Sequence, residues 1–256
     1  MSVSPEAVLA RLEGWENAVL SELDGGYTNH TWLVEANGRK AVLKIDPAPR
    51  GEPFNTRRQE ASIQNLAAAS RLASRVLYVD ETTYMTEYLE GRICSVADFD
   101  NDDTLSDLAQ ALRRMHELPL TGRRFNALGA ARQYAAHIAT IDEERVRKHL
   151  NVIESMPEPS RLCCCHNDLV AENIVIAPEI RFIDWEYACD NDPMFDLATI
   201  VGHHALSDAR ALLLLDAYFD GGGVGREEQL AEYVAIYNAL LCLWQEARKS
   251  PLSLSG

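Results

Sequence analysis

The segment HNDLVAEN at 166–173, followed closely by FIDWEY at 182–187, contains the side chains best suited to chemistry. Asp168 can accept a proton, while Asn173 and Asp184 offer an amide oxygen and a carboxylate. Mg²⁺ prefers oxygen ligands and is usually held by few protein groups together with substrate phosphates. The types and spacing of these residues therefore predict a base beside a magnesium site.

A short hairpin is expected to bring the two metal ligands together. The apolar segments IVI at 174–176 and RFI at 181–183 are separated by APEI, whose proline indicates a tight connection. Asn173 precedes the first strand and Asp184 follows the second, so both lie at the open end of the hairpin. The alternative is turn chemistry alone, because Asp and Asn also hydrogen-bond to their own backbone.

The separation of Asp168 from Asn173 matches the D-x-x-x-x-N spacing of the protein-kinase catalytic loop. In that loop the Asp accepts the proton of the substrate hydroxyl and the Asn binds a metal ion. The analogy assigns the same roles to Asp168 and Asn173. A degenerate protein that binds nucleotide without turnover is the alternative.

Strand-like segments of the first ninety residues predict a small lobe with a five-stranded antiparallel sheet. A helix candidate at 4–15, with Ser4 as cap, precedes the strands, and a second helix is expected at about 56–72. Asn37-Gly38 is a strong hairpin turn. The predicted strands are AVLSEL (18–23), HTWLVEA (30–36), KAVLKI (40–45), RVLYV (75–79) and TYMTEYL (83–89).

After Gly91 the hydrophobic pattern becomes helical, apart from the catalytic hairpin. The predicted fold class is therefore α+β, a protein-kinase-like fold of two lobes. We expect an N-terminal lobe at 1–90, with its sheet and one helix, and a larger, mostly helical lobe at 91–256.

The turn between the first two strands contains glycines that allow a backbone to approach phosphates closely. Gly25 and Gly26 provide this close approach, and Thr28 and Asn29 offer further polar contacts. A pair of glycines in a turn is a weak signal when it stands alone.

Lys44 lies among apolar residues of the third strand, where an unpaired charge is costly. We expect Glu60, in the following helix, as its partner, because a Lys–Glu pair positions nucleotide phosphates in kinases. The alternative is an edge-strand lysine that points to water. The backbone of Glu87, Tyr88 and Leu89, at the end of the fifth strand, is expected to link the lobes and pair with adenine.

Composition narrows the class of protein. The chain has 256 residues, 47% hydrophobic and 25% charged, which is ordinary for a globular enzyme. Its net charge of −15 argues against nucleic acid or an anionic membrane as the main partner. Apolar runs stay below the ~18 residues of a membrane span, and a signal peptide is not indicated, so we expect a cytoplasmic protein.

The six cysteines show neither zinc-binding spacing nor a disulfide framework. We interpret them as reduced and mostly buried thiols. The run Cys163–Cys165 leads directly into His166, which suits a buried strand that feeds the catalytic loop. A redox role is the alternative.

Nearly the whole chain resembles the choline/ethanolamine kinase family, a branch of the aminoglycoside phosphotransferase-like kinases. The resemblance implies ATP and Mg²⁺ as cofactors, with Asp168 as the base and Asn173 and Asp184 as magnesium ligands. It also implies that Lys44, Glu60 and the glycine turn hold ATP, and Asp196 is expected to support the catalytic loop. The segments that carry it are LDGGYTNHTWLV (23–34), VLKI (42–45), FNTRRQEASI (54–63), CHNDLVAENIVI (165–176) and FIDWEYACDNDPMFDLA (182–198).

The acceptor implied by the resemblance is a small cationic alcohol, most readily choline or ethanolamine. Aromatic faces with a carboxylate recognise a quaternary ammonium, and the candidates beside Asp168 are Trp185, Glu186, Tyr187 and Trp244. The companion tryptophan expected three residues before Trp244 is a leucine here.

Three interpretations of the function stay open, of which a choline or ethanolamine kinase is the first. An aminoglycoside or thiamine phosphotransferase of the same fold would also act on a cation with a hydroxyl group. A non-catalytic nucleotide-binding protein is the third, although it would have no need of Asp168.

His203 and His204 follow the metal site. They are expected in a helix and either face the pocket or are simply polar positions of that helix. The oligomeric state is left open.

Overall fold

The coordinates come from a computed structural model, which describes residues 4–23, 30–138 and 142–249. The chain divides into two compact units, and the division lies between Glu90 and Gly91. Each unit has its own hydrophobic interior and is described separately below.

The first unit contains a five-stranded antiparallel sheet, in the strand order β1-β2-β3-β5-β4. Asn37 and Gly38, with φ of 52° and 70°, form the turn between the second and third strands. Positive φ at both positions is what a two-residue hairpin turn requires, and Asn-Gly supplies it readily. The strands are β1 (Val19–Glu22), β2 (His30–Ala36), β3 (Arg39–Ile45), β4 (Val76–Val79) and β5 (Thr83–Glu87).

Two helices accompany this sheet, α1 (Pro5–Leu9) and α2 (Arg57–Ala69). A capping box between Thr56 and Gln59 starts α2. Helix α1 is shorter than the predicted helix at 4–15. Gly14 takes a φ of 82°, and the resulting turn places Trp15 in the buried cluster beneath the sheet.

The second unit is mostly helical, as predicted. Its longest helix, α8, packs against α4, α5 and α6, while α3 packs against α7. Asparagine, aspartate or serine caps the N-terminus of every helix from α3 to α7. The helices are α3 (Asp102–His116), α4 (Ala127–Ala136), α5 (Glu143–Glu154), α6 (Pro193–His203), α7 (Asp208–Tyr218) and α8 (Glu227–Arg248).

Two small antiparallel ladders carry the candidate site. Strand β7 pairs with β10, and β8 pairs with both β6 and β9. The predicted hairpin is therefore confirmed as β8–β9, and the segment with Asp168 and Asn173 connects β7 to β8. The strands are β6 (Arg92–Ile93), β7 (Cys163–Cys165), β8 (Ile174–Ile176), β9 (Arg181–Phe182) and β10 (Cys189–Asn191).

The antiparallel sheet of the first unit and the helices of the second agree with the predicted α+β class. Within the three described ranges, we find no helix that is both long enough and apolar enough to cross a bilayer. All six cysteines carry free thiols, and five of them are buried, as the sequence indicated.

Candidate active site

The buried carboxylate of Asp196 fixes the start of the loop that follows β7. Its two oxygens accept hydrogen bonds from the backbone amides of His166, at 2.9 Å, and Asn167, at 2.7 Å. Asn167 has a left-handed φ of 63°, a conformation that asparagine tolerates better than most residues. Two bonds to successive amides hold this turn in place. Asp196 thus occupies the supporting position expected from the sequence.

His116 in α3 holds Asp196 in turn. One ring nitrogen of His116 lies 3.0 Å from the Asp196 carboxylate, and the other lies 2.7 Å from the Tyr218 hydroxyl. His116 also lies near the thiols of Cys163 and Cys165. Because both ring nitrogens are engaged, we interpret this interior cluster as a hydrogen-bonding one. Sequence analysis missed His116. The signal available for it was a histidine on the apolar face of a predicted helix.

Asp168 and Asn173 are joined directly. The Asn173 side-chain amide donates to the Asp168 carbonyl at 2.9 Å and to its carboxylate at 3.0 Å. Burial, and after it the charge of the nearby Asp184, raise the pKa of Asp168 to about 7. A carboxylate with a pKa near neutrality can take up a proton at physiological pH. The geometry therefore suits Asp168 as a base.

Asp184 adopts a left-handed conformation, with φ of 65°, two residues after the end of β9. The Ile183 amide donates to the Asn173 carbonyl at 3.0 Å, so the hairpin brings Asp184 back towards Asn173. These residues offer an amide oxygen and a carboxylate beside a second carboxylate, Asp168. Such a donor set fits Mg²⁺, and a cation would relieve the repulsion between the two aspartates. The metal role stays a prediction.

Three tyrosines lie close enough to Asp168 for its charge to raise their pKa, in addition to the larger effect of burial. Tyr134 in α4 has its pKa raised to about 12, and its hydroxyl is hydrogen-bonded to that of Tyr187. Tyr237 lies in α8. The buried Glu186 acts on the first two in the same direction. Three phenol groups and a carboxylate therefore lie in the same region as the candidate base.

Sequence analysis predicted Tyr187 and Glu186 for this region but missed Tyr134 and Tyr237. Each missed residue is a buried aromatic side chain with a polar tip on a helix. A core phenylalanine would serve packing equally well, so the hydroxyl is the signal that was available.

The two predicted tryptophans differ in their surroundings. Trp185 is fully buried, and its indole N–H donates to the Phe182 carbonyl at 3.2 Å, which favours a structural role. Trp244 is partly exposed on α8, and the Arg248 guanidinium lies 4.7 Å from the centroid of its ring. A cation of the protein itself therefore covers Trp244.

The adjacent histidines at the end of α6 contact different partners. His203 lies 2.6 Å from the Tyr237 hydroxyl through Nδ1. His204 accepts the backbone amide of Ala171 at 3.1 Å through Nε2. Burial lowers the pKa of both, that of His204 to about 4. Both imidazoles are therefore neutral at physiological pH.

In the first unit, Lys44 lies on β3 opposite Thr31 and Tyr84. The predicted partner Glu60 is buried and accepts a hydrogen bond from Arg57 at 2.8 Å, with Arg50 at 3.6 Å. Glu60 thus belongs to a buried ion network of α2, and its pairing with Lys44 stays a prediction.

The end of β5 uses part of its backbone inside the sheet. The amides of Glu87 and Tyr88 donate to the carbonyls of Arg75 and Lys40, and the Glu87 carboxylate is bound by the Arg75 guanidinium. The adenine contact predicted for this segment would therefore fall on Leu89 and on carbonyl groups. Gly25, Gly26, Thr28 and Asn29, predicted near the phosphates, lie outside the described residues.

Curated proteins similar to this chain include kinases. Protein LicA of Haemophilus influenzae is 32% identical over 207 residues, which cover 76% of this chain and 61% of LicA. The chain thus spans less than two thirds of that relative. A thiamine kinase of Salmonella typhi is 28% identical over 197 residues, which cover 73% of this chain and 69% of that protein.

Among solved structures, a choline/ethanolamine kinase family protein from Mesorhizobium loti has a TM-score of 0.73 and 26% identity. The match covers 95% of this chain and 85% of that one. The predicted kinase-like fold is therefore confirmed. Residues 19–233 match the family model described as "Phosphotransferase enzyme family". The chain therefore belongs to the phosphotransferase enzyme family.

Proposed function

We propose that this protein transfers the γ-phosphoryl group of ATP to the hydroxyl of a small cationic alcohol, with choline or ethanolamine as the first candidates. The observation that carries the proposal is the contact between Asp168 and Asn173, with Asp184 close to both. This arrangement combines a base with two oxygen ligands. A protein that merely binds nucleotide has no use for the base.

In the proposed reaction, Asp168 orients the acceptor hydroxyl and takes its proton as the new P–O bond forms and the bond to ADP breaks. Phosphoryl transfer passes through a loose transition state, so positioning and charge neutralisation provide most of the acceleration. Mg²⁺, when bound, neutralises charge on the phosphates. Asn173 and Asp184 are its proposed ligands, and Asn173 also holds Asp168 in place.

A cationic acceptor is supported by the side chains around Asp168. A quaternary ammonium has no N–H group that could donate a hydrogen bond. Aromatic faces can bind it instead, and each cation–π contact contributes roughly 0.5–2 kcal/mol of binding free energy. We assign this role to Tyr134, Tyr187 and Tyr237, with Glu186 as the compensating carboxylate. The net charge of −15 also favours a cationic substrate.

Choline and ethanolamine come first because the solved structure with 26% identity is a choline/ethanolamine kinase family protein. Thiamine is the second candidate, because a thiamine kinase is 28% identical to this chain. Thiamine also carries a permanent positive charge and a primary hydroxyl, so the tyrosines suit it too. Its larger rings demand more space than choline needs.

An ADP-release assay with choline, ethanolamine, thiamine, homoserine and kanamycin tests the proposal, with phosphorus NMR to identify the product. We expect acceptor-dependent ADP release with choline or ethanolamine, and its loss in Asp168→Asn. Release with kanamycin or homoserine alone would refute the proposed acceptor class. Nucleotide binding without release for any acceptor would favour a non-catalytic protein.

A further inference from the structure

The loop between Asp168 and Asn173 has an anchor in its middle. The backbone amide of Ala171 donates to Nε2 of His204 at 3.1 Å. Ala171 is buried and begins the 3₁₀ turn that ends at Asn173. A bond at this point sets the position of the turn, and with it the direction of the Asn173 side chain.

His204 is itself held firmly. Its ring packs against the fully buried Phe99, with 4.7 Å between ring centroids, and the Phe99 carbonyl accepts a hydrogen bond from Arg210 at 3.0 Å. The lowered pKa keeps the imidazole neutral, as an acceptor nitrogen must be. Since Nε2 accepts, the ring proton belongs on Nδ1.

Helix α6 therefore contacts the loop at both ends. Asp196, in its first turn, binds the amides of His166 and Asn167, and His204, its C-cap residue, binds the amide of Ala171. The two anchors lie eight positions apart, about 12 Å along a helix. One rigid element thus defines the path of the loop on either side of Asp168.

We propose that His204 is a positioning residue for phosphoryl transfer, acting through its hydrogen bond to Ala171 on the placement of Asp168 and Asn173. The proposal rests on the proposed function. His204 touches neither the base nor the predicted metal ligands through a side-chain bond, so its effect is on geometry. Displacement of reacting groups by about 1 Å can cost 10²-fold in rate.

Two variants separate the hydrogen bond from the packing of the ring. In His204→Gln the side-chain oxygen can reach the position of Nε2, so the acceptor is kept while the ring is lost. In His204→Phe the ring against Phe99 is kept while the acceptor is lost. If the hydrogen bond positions the loop, only the second variant is impaired in turnover.

Steady-state kinetics and thermal unfolding should be measured on both variants and the wild type. We expect kcat to fall about 10- to 100-fold in His204→Phe, with an unchanged KM for ATP. In His204→Gln we expect kcat within about 3-fold of the wild type. Turnover of His204→Phe near the wild-type value would overturn the proposal, as would equal losses of kcat in both variants.

Amide exchange at Ala171, followed by NMR on the folded proteins, gives a readout that needs no activity. Exchange should be faster in His204→Phe than in His204→Gln, because an amide without an acceptor loses protection. Equal exchange would also overturn the proposal. If the wild type itself releases no ADP with any acceptor, the proposed function fails, and the exchange measurement alone tests the anchor.

Discussion

The loop with Asp168 and Asn173 and the proposed acceptor side, formed by Tyr134, Tyr187 and Tyr237, are built in different ways. The loop is fixed by hydrogen bonds of defined length. Its backbone amides donate two to Asp196 and one to His204, and the Asn173 side chain donates another to Asp168. The acceptor side consists of aromatic rings from separate elements, α4, α8 and the 3₁₀ turn after Asp184.

We expect this difference to separate the residues that transfer the phosphoryl group from those that select the acceptor. Hydrogen bonds to a backbone demand particular acceptors in particular places, so the loop tolerates few substitutions. Contacts between a cation and aromatic faces depend on area and direction, and many ring combinations provide them. In the proposed function, the first region carries out phosphoryl transfer and the second selects the alcohol that receives the phosphoryl group. The variants below test this division.

The largest effect is expected for Asp168→Asn. The amide retains the shape of the side chain but cannot take the hydroxyl proton, so turnover should fall about 10²-fold or more. ATP binding, measured by calorimetry, should persist. Glu172→Gln is the matched control, because it makes the same chemical change on an exposed residue of the same loop. Turnover of Asp168→Asn near that of the control would contradict the assignment of the base.

The second prediction concerns the buried support of the loop. Asp196→Asn leaves one acceptor oxygen where two amides and His116 now find partners. A buried donor without a partner costs about 1–3 kcal/mol, so the free energy of unfolding in urea should fall by a comparable amount. Turnover of the folded protein should decrease about 10-fold or more through misplacement of Asp168. Unchanged stability and turnover together would show that the loop needs no such support.

The same difference explains how far the sequence could predict the site. Asn173 and Asp184 flank the β8–β9 hairpin, and Asp168 lies five positions before Asn173, so spacing along the chain translated directly into proximity. The strands of the first unit were predictable from their alternation and from Asn37-Gly38, with errors of one or two residues at the ends. Local rules decide these features, and they can be read from consecutive residues.

Residues brought together from distant helices could not be predicted in this way. Tyr134 and Tyr237 are separated by about a hundred positions, and only packing of α4 against α8 brings them to the same region. Glu60 presents a related problem. The sequence suggests Lys44 as the partner of Glu60, whereas the structure shows ion pairs of Glu60 with Arg57 and Arg50. With several basic residues nearby, the sequence alone leaves the pairing ambiguous.

The third prediction tests the acceptor side. Tyr187→Leu removes an aromatic face, so KM for choline should rise about 2- to 30-fold, the equivalent of one cation–π contact. KM for ATP should stay constant. Tyr187→Phe retains the face while losing the hydroxyl bonded to Tyr134, and its KM for choline should stay close to the wild-type value. Equal increases in both variants would indicate that the hydroxyl, and not the ring, recognises the acceptor.

The fourth prediction concerns pH and stability. The pKa of His204 is lowered from 6.5 to about 4 by burial, so the unfolded chain binds more protons in this interval. Stability should therefore fall as the pH decreases from 6.5 towards 4. His204→Gln lacks this titration, so its melting temperature should decline less than that of the wild type between pH 7 and pH 5. A parallel decline in the two proteins would mean that His204 is protonated in the folded state.

The smallest effect is expected at Trp244, one of the three aromatic residues that the sequence placed in the acceptor site. Arg248 covers its ring at 4.7 Å, and an exposed pair of this kind is worth about 0.5–1 kcal/mol. A substrate cation would have to displace a guanidinium that is tethered one helical turn away. Trp244→Leu should therefore change KM for choline less than about 2-fold, well below the effect of Tyr187→Leu. A rise of tenfold or more would place Trp244 in the acceptor site and require Arg248 to move aside on binding, and Arg248→Gln should then lower KM because the competing cation is gone.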